Sequence, residues 1–456
     1  MLAEDNTRSD CGRTPEAPST VRTRPWSQCS LGVLKTIFVA TVACVTAAAG
    51  DSNRTRDALL AANGGAFEPL ITAIHLETDP GKSALLKARE AASRLDEASA
   101  LRALKLFFKT GAADSGLAQL AQEIHIDAAF AAGDYTAASL AAAQLRDWLV
   151  SSGHTQKLSE IVQTYTVAAY LAKVPRQKLL HRAVGEKSPA WRDKVGLTRT
   201  QIAINGIEQE AVLDTGANLS VVTRSTAKKL GLRMLEGAAS VRSVTSDDVA
   251  THLGVADRIV VAGSVLSNVA FLVFDDAQLE MPVPGGYRID AIIGFPVFRA
   301  LGRVRFGHRD FTAERPGRAN IAEPLNLRAI GSSLFVQALI NGIPVALHLD
   351  TGANSSGLSA RFARERPEVL VGLDRRGSQI AGAGNAMLQI EQALWKEIEI
   401  TIAGSSLKLP QLNIQTSASQ TTTNDDYGVL GKDVLGAFES FTLDFKNMRF
   451  QLGPPV

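Results

Sequence analysis

One pattern occurs twice in this 456-residue chain. The first copy reads Ile204-Asn205-Gly206, then Ala211-Val212-Leu213-Asp214-Thr215-Gly216-Ala217-Asn218. The second reads Ile340-Asn341-Gly342, then Ala346-Leu347-His348-Leu349-Asp350-Thr351-Gly352-Ala353-Asn354. The aspartate lies eight residues after the turn glycine in each. An apolar-apolar-Gly segment follows at matched distance: Gly294 of Ile292-Ile293-Gly294 is 80 positions after Asp214, and Gly431 of Val429-Leu430-Gly431 is 81 after Asp350. Apparent β-hairpins close both copies, from Val304 to Phe311 and from Leu443 to Leu452. A repeat of this size, with short β-rich runs broken by Gly, Asn and Asp, implies two copies of one mostly-β unit.

The residues before the repeat have a different texture. Leu85, Ala88, Ala92, Leu95, Ala98, Leu101, Leu104 and Phe108 recur every three or four positions, the spacing of one apolar helical face. Leu117, Leu120, Ile124, Ala128 and Ala131 form a second face; Tyr135, Ala138, Ala142, Leu145 and Leu149 form a third. Gly133 is the expected stop between these two and Asp134 the expected cap. The stretch 128–138 resembles the turn between paired helices of tetratricopeptide repeats. No 34-residue period accompanies it, so a plain helical bundle stays open beside a repeat-like domain. The fold class expected is multidomain: an N-terminal all-α region followed by two mostly-β lobes. The expected boundaries are 1–50 for a leader, 51–188 for the helices, 189–320 for lobe 1 and 321–456 for lobe 2, with a linker near 174–191.

In the leader, Arg22, Arg24 and Lys35 precede an apolar run from Thr36 to Ala49 that ends in small residues. That order is the order of a signal peptide. It implies export to a bacterial periplasm or beyond; an uncleaved inner-membrane anchor is the alternative. Cys11, Cys29 and Cys44 all lie there, so the rest of the chain has no disulfide, cysteine nucleophile or thiolate metal site. A net charge of +2 without a dense basic stripe argues against nucleic acid as a partner.

At the two Asp-Thr-Gly loops and the two apolar-apolar-Gly segments, the sequence resembles the aspartic protease superfamily, nearer to retropepsin-like domains than to full-length pepsins. The resemblance covers about 260 residues and says nothing of the helices. It implies an acid-protease fold, an aspartic endopeptidase activity on a peptide or protein substrate, and Asp214 and Asp350 as the catalytic pair. Chemistry supports the pairing. Two carboxylates held close cannot both ionise comfortably, so they share a proton. The ionised member then takes a proton from water, and the protonated one hydrogen-bonds to the scissile carbonyl. No metal or other cofactor is required.

The resemblance also assigns supporting roles. Thr215 and Thr351 would exchange hydroxyl hydrogen bonds across the lobe interface, and Gly216 and Gly352 allow the tight turns. Gly294 and Gly431 belong to the segments that return beside the loops. Asn218 and Asn354 stand where many family members have Ser or Thr, and their amides can donate the same bond to the outer carboxylate oxygen. With Ala217 and Ala353 adding no hydroxyl, a less acidic pH optimum than in gastric-type enzymes is expected. Substrate-covering hairpins are expected at 240–254 and 381–389, the second with Gly382-Ala383-Gly384 at its tip. Trp395 reads as core, and His348 as locally packed rather than catalytic. The rival reading is an inactive peptide-binding or adaptor protein that keeps the fold and binds a protein partner through its helices.

Overall fold

The computed structural model describes residues 53–456 except 111–113, 244, 247, 282–284, 318–324, 382–386 and 418–425. The leader, its cysteines and the Gly382-Ala383-Gly384 tip lie outside the described residues. Among the described residues no helix is long and apolar enough to cross a membrane.

Helices come first: α1 (53–63), α2 (Glu68–Leu76), α3 (Pro80–Ser93), α4 (Glu97–Lys109), α5 (Ser115–Ala132), α6 (Tyr135–Ser152) and α7 (Leu158–Leu171). Four of them start at an aspartate whose side chain accepts a backbone N–H of the first turn: Asp79, Asp96, Asp114 and Asp134. Gly133 and Gly153 end α5 and α6 in the left-handed conformation, at φ 71° and 72°. The faces read from the spacing of α5 and α6 are the buried ones. The first predicted face is corrected. Its run from Leu85 to Phe108 spans two helices, because Leu95 turns left-handed at φ 58° and Asp96 caps a new start. Phe107, not Phe108, is buried. Apolar spacing stayed in phase across the break and hid it.

The repeat then builds the same closed sheet twice. In the first copy the strands are β1 (Lys178–His181), β2 (Lys187–Arg192), β3 (Thr198–Ile204), β4 (Ile207–Leu213), β5 (Ser220–Thr223), β6 (Arg233–Met234), β7 (Ala239–Val241), β8 (Val249–Val261), β9 (Ser264–Phe274), β10 (Glu280–Met281), β11 (Tyr287–Arg288), β12 (Ala291–Ile293), β13 (Arg303–Gly307) and β14 (Asp310–Ala313). Short helices α8 (Arg224–Lys229) and α9 (Phe295–Leu301) interrupt them. The second copy has β15 (Leu327–Ile330), β16 (Ser333–Ile340), β17 (Ile343–Leu349), β18 (Gly357–Leu358), β19 (Asp374–Ala381), β20 (Met387–Ile402), β21 (Ser405–Gln415), β22 (Gly428–Leu430), β23 (Ser440–Asp444) and β24 (Arg449–Leu452), with α10 (Ala360–Glu365) and α11 (Lys432–Leu435).

Strands β3-β4-β12-β5-β9-β8 pair in that order, and β8 returns to β3, closing a six-stranded barrel. Strands β16-β17-β22-β18-β21-β20 do the same, with β20 returning to β16. Parallel and antiparallel pairings match one for one: β12 runs parallel to β4 and β5 to β9, as β22 does to β17 and β18 to β21. Closure removes the edges that an open sheet would expose. Each first hairpin turns on Asn-Gly with both residues at positive φ: 51° and 84° at Asn205-Gly206, 47° and 80° at Asn341-Gly342. That is the turn whose twist suits a two-residue hairpin.

A second sheet joins the copies. Strand β13 lies antiparallel to β23, from Arg303 opposite Asp444 to Gly307 opposite Ser440. The segment read as a linker is corrected too: 174–191 contains β1, which pairs with β9, and most of β2, which pairs with β3 and β14. They resemble a linker because β1 is only four residues long and Pro189 interrupts β2.

The helices rest on both copies. Val167 and Leu171 of α7 share a buried cluster with Leu219, Ala239 and Leu253, at the base of the β7–β8 hairpin. Arg299 of α9 donates to the Ala131 carbonyl, at 2.6 Å, near the end of α5. Arg328 of β15 meets Glu90 of α3 at 3.5 Å.

The hairpin turns allow a clean test. No atom lies within 4 Å of where a Cβ would project from Gly206 or Gly342, so an added methyl strains only the backbone. Gly206→Ala and Gly342→Ala should each lower stability by about 1–2 kcal/mol. The loss should appear as a lower urea midpoint with an unchanged slope.

Candidate active site

Asp214 and Asp350 each follow the buried last residue of a strand, Leu213 of β4 and Leu349 of β17. Their backbones are fixed by the returning strand. Asp214 N–H donates to Ile293 O at 3.0 Å, and Asp350 N–H to Leu430 O at 3.1 Å. The loop then doubles back on its own carboxylate. Gly216 N–H reaches Asp214 Oδ1 at 2.8 Å, Gly352 N–H reaches Asp350 Oδ1 at 2.7 Å, and Ala353 N–H reaches the same oxygen at 3.2 Å.

The two loops interlock. Thr215 Oγ1 donates to Leu349 O and Thr351 Oγ1 to Leu213 O, both at 2.8 Å. Each hydroxyl also accepts the other threonine's N–H, at 2.9 and 3.1 Å. Both threonines are buried, so no water competes for these bonds.

This interlock drives each glycine against the opposite carboxyl. A Cβ on Gly216 would stand 2.7 Å from Asp350 Oδ1, and one on Gly352 would stand 2.7 Å from Asp214 Oδ2. Burial first, and then the Asp350 charge, push the Asp214 carboxyl well above the usual carboxylate range, against the pull of the Gly216 and Ala217 N–H groups. Such a pair can share one proton.

Gly294 and Gly431 sit where no side chain fits. A Cβ on Gly294 would lie 2.6 Å from Ala217 O and 2.7 Å from Leu219 O. One on Gly431 would lie 2.7 Å from the Ser355 carbonyl carbon. Both closures depend on serines that the sequence reading missed. Ser220 Oγ accepts Gly294 N–H at 3.2 Å, and Ser356 Oγ accepts Gly431 N–H at 2.9 Å. They lie six residues after each aspartate, and that shared offset was the signal available.

The expectation for Asn218 and Asn354 is corrected. Both are exposed, and among the described residues the donors to the dyad carboxyls are backbone N–H groups. The tight turn already brings those groups to the oxygens, and an exposed amide is satisfied by water. His348 takes the place that Val212 holds in the first copy; its ring tilts against Phe335 at 5.6 Å. Trp395 is partly buried against the core and stacks on Phe362. The hairpin expected at 240–254 is β7–β8, and β19 and β20, paired up to Ala381 and Met387, flank that expected at 381–389.

A closed barrel that presents an Asp-Thr-Gly loop beside an apolar-apolar-Gly strand is consistent with an aspartic protease lobe. Residues 200–297, within the first copy, match the family model described as aspartyl protease. Among solved structures the chain is similar to a retropepsin-like aspartic protease from Rickettsia conorii, at 17% identity and a TM-score of 0.20, over 27% of this chain and 87% of that one. No curated protein matches the chain.

Two outcomes follow from the packing. Gly294→Ala must displace backbone, not a flexible side chain, and should cost roughly 1–3 kcal/mol in a denaturation series. The second concerns pH. A carboxyl held above its ordinary range favours the folded state when protonated, and that contribution fades as pH rises through the folded value. Asp214→Asn removes the dependence. The variant should therefore gain stability over the parent as pH climbs from acid to neutral, read as urea midpoints across pH.

Proposed function

We propose that the chain is an aspartic endopeptidase whose two barrels, roughly 189–320 and 321–456, are the two lobes of one single-chain enzyme. The reciprocal approach of Gly216 to the Asp350 carboxyl and of Gly352 to the Asp214 carboxyl carries this reading. It leaves two acids sharing a proton beside donors that keep them in place. The substrate is a peptide or an unfolded segment of protein.

In the reaction the ionised member of the dyad takes a proton from a water molecule, and the resulting hydroxide attacks the scissile carbonyl carbon. The protonated member hydrogen-bonds to the carbonyl oxygen and stabilises its developing charge. The tetrahedral intermediate then breaks its C–N bond as the leaving nitrogen receives a proton from the dyad. The exported location stays part of the proposal, supported by the order of basic, apolar and small residues before Gly50. The helical region is proposed as a seat for a protein partner.

The test is cleavage of an unfolded protein by the full chain. Asp214→Asn and Asp350→Asn should each reduce the rate by about 100-fold or more while leaving the fold intact. Undiminished cleavage by either variant would sink the shared-dyad mechanism. The pH–rate profile should peak above about 3.

A further inference from the structure

We propose that α7 is a fixed support for the β7–β8 hairpin, with Val167, Tyr170 and Leu171 as positioning residues that hold one wall of the substrate cleft still while substrate enters from the side of the second copy; this rests on the protease reading above. Val167 and Leu171 lie one turn apart on α7 and share a buried cluster with Ala239 of β7 and Leu253 of β8. Tyr170 packs against the same cluster, as do Leu235 before β7 and Val241 at its end. The chain leading into β7 passes directly over this tyrosine. A Cβ on Gly237 would collide with the Tyr170 hydroxyl and ring, and Gly237 holds φ 114°, a conformation that favours glycine.

The support is itself anchored. Ile161 of α7 is buried with Ala142, Leu145 and Leu149 of α6, and Ala168 with Ala129 of α5 and Ala138 of α6. Close-packed small residues leave α7 little room to shift. Near the start of α7, Glu160 meets Arg242, just beyond β7, at 3.5 Å. That exposed pair adds little strength, so the apolar contact carries the support. The cluster also reaches the dyad loop. Leu219 belongs to it, is buried, and lies between Asn218 and Ser220. Ser220 Oγ in turn accepts Gly294 N–H behind that loop. One apolar seam therefore joins α7, the hairpin and the segment that carries Asp214.

The second copy is dressed differently. Its β19 presents Asp374, Arg375, Arg376, Gly377 and Gln379 to solvent, and Met387 at the start of β20 is exposed as well. Arg328 and Glu90 join the helices to that copy at β15, which stands at the opposite end of the strand order from β19. A hairpin whose apolar side chains are buried against an anchored helix opens at greater cost than one whose outer strand faces water. Two hairpins of like topology thus differ in freedom, and the fixed one lies on the Asp214 side.

The experiment is hydrogen exchange of the full chain, read segment by segment, with Leu171→Ala, Leu171→Met and Tyr170→Ala, beside steady-state cleavage of an unfolded protein. In the parent, the amides of β7 and β8 should exchange at least about tenfold more slowly than those of β19. Leu171→Ala and Tyr170→Ala should each speed exchange in β7 and β8 by about tenfold or more, with β16 and β19 unchanged, and Leu171→Met should restore protection. KM should rise about threefold or more in the two alanine variants, with a smaller change in kcat. Tyr170 is only half-buried, so its variant decides the matter if Leu171→Ala does not fold. A folded alanine variant whose β7 and β8 exchange like the parent's overturns the inference. So does exchange that rises evenly along the chain, or a fall in kcat at unchanged KM. A parent that cleaves no peptide yet shows the localised exchange loses the protease reading and keeps α7 as the support of the hairpin.

Discussion

Four hydrogen bonds made by Thr215 and Thr351, two to each other and two to the opposite strand, hold together what electrostatics would separate. Each hydroxyl is donor to the opposite strand and acceptor from the opposite loop, so neither threonine has a free role that water could fill. Hydrogen bonds of this kind are worth little net when solvent competes and much more when both partners are buried and would otherwise be orphaned. The distance they set presses each glycine on the opposite carboxyl and brings the Asp350 charge to bear on Asp214, whose carboxyl burial already raises. The serines Ser220 and Ser356 act one step further out, fastening the returning glycines that support each loop from behind.

Much of this was legible in the sequence because the chain states it twice. Asp214, Thr215 and Gly216 recur as Asp350, Thr351 and Gly352 with the same turn eight residues upstream, and those residues meet. The periodic faces of α5 and α6 were readable for the same physical reason: burial imposes spacing. What escaped has causes too. The break at Leu95 kept the helical phase and so left no mark on it. Strand β1 is too short to look like one, and Pro189 breaks the pattern of β2. Asn218 and Asn354 were judged by side chain, whereas the carboxylates are served by backbone amides that no sequence displays.

The two barrels are alike in topology and unlike in their surroundings. The base of the β7–β8 hairpin packs on α7, whereas β15 meets α3 through Arg328. Within the barrels the residues differ too, as at His348 for Val212 and Lys432 for Phe295. Such substitutions are open only to a pair whose halves are written separately, since a symmetric assembly of identical chains must change both sides at once.

The seam between β13 and β23 carries this further. When two separate molecules each contribute half of a site, the site disappears on dilution by mass action. Here the second half is tethered, so its local concentration is set by the connecting chain and not by the amount of protein present. On the proposed reading, the site is whole in a lone molecule at vanishing abundance. A damaged copy cannot exchange into it and poison a sound one.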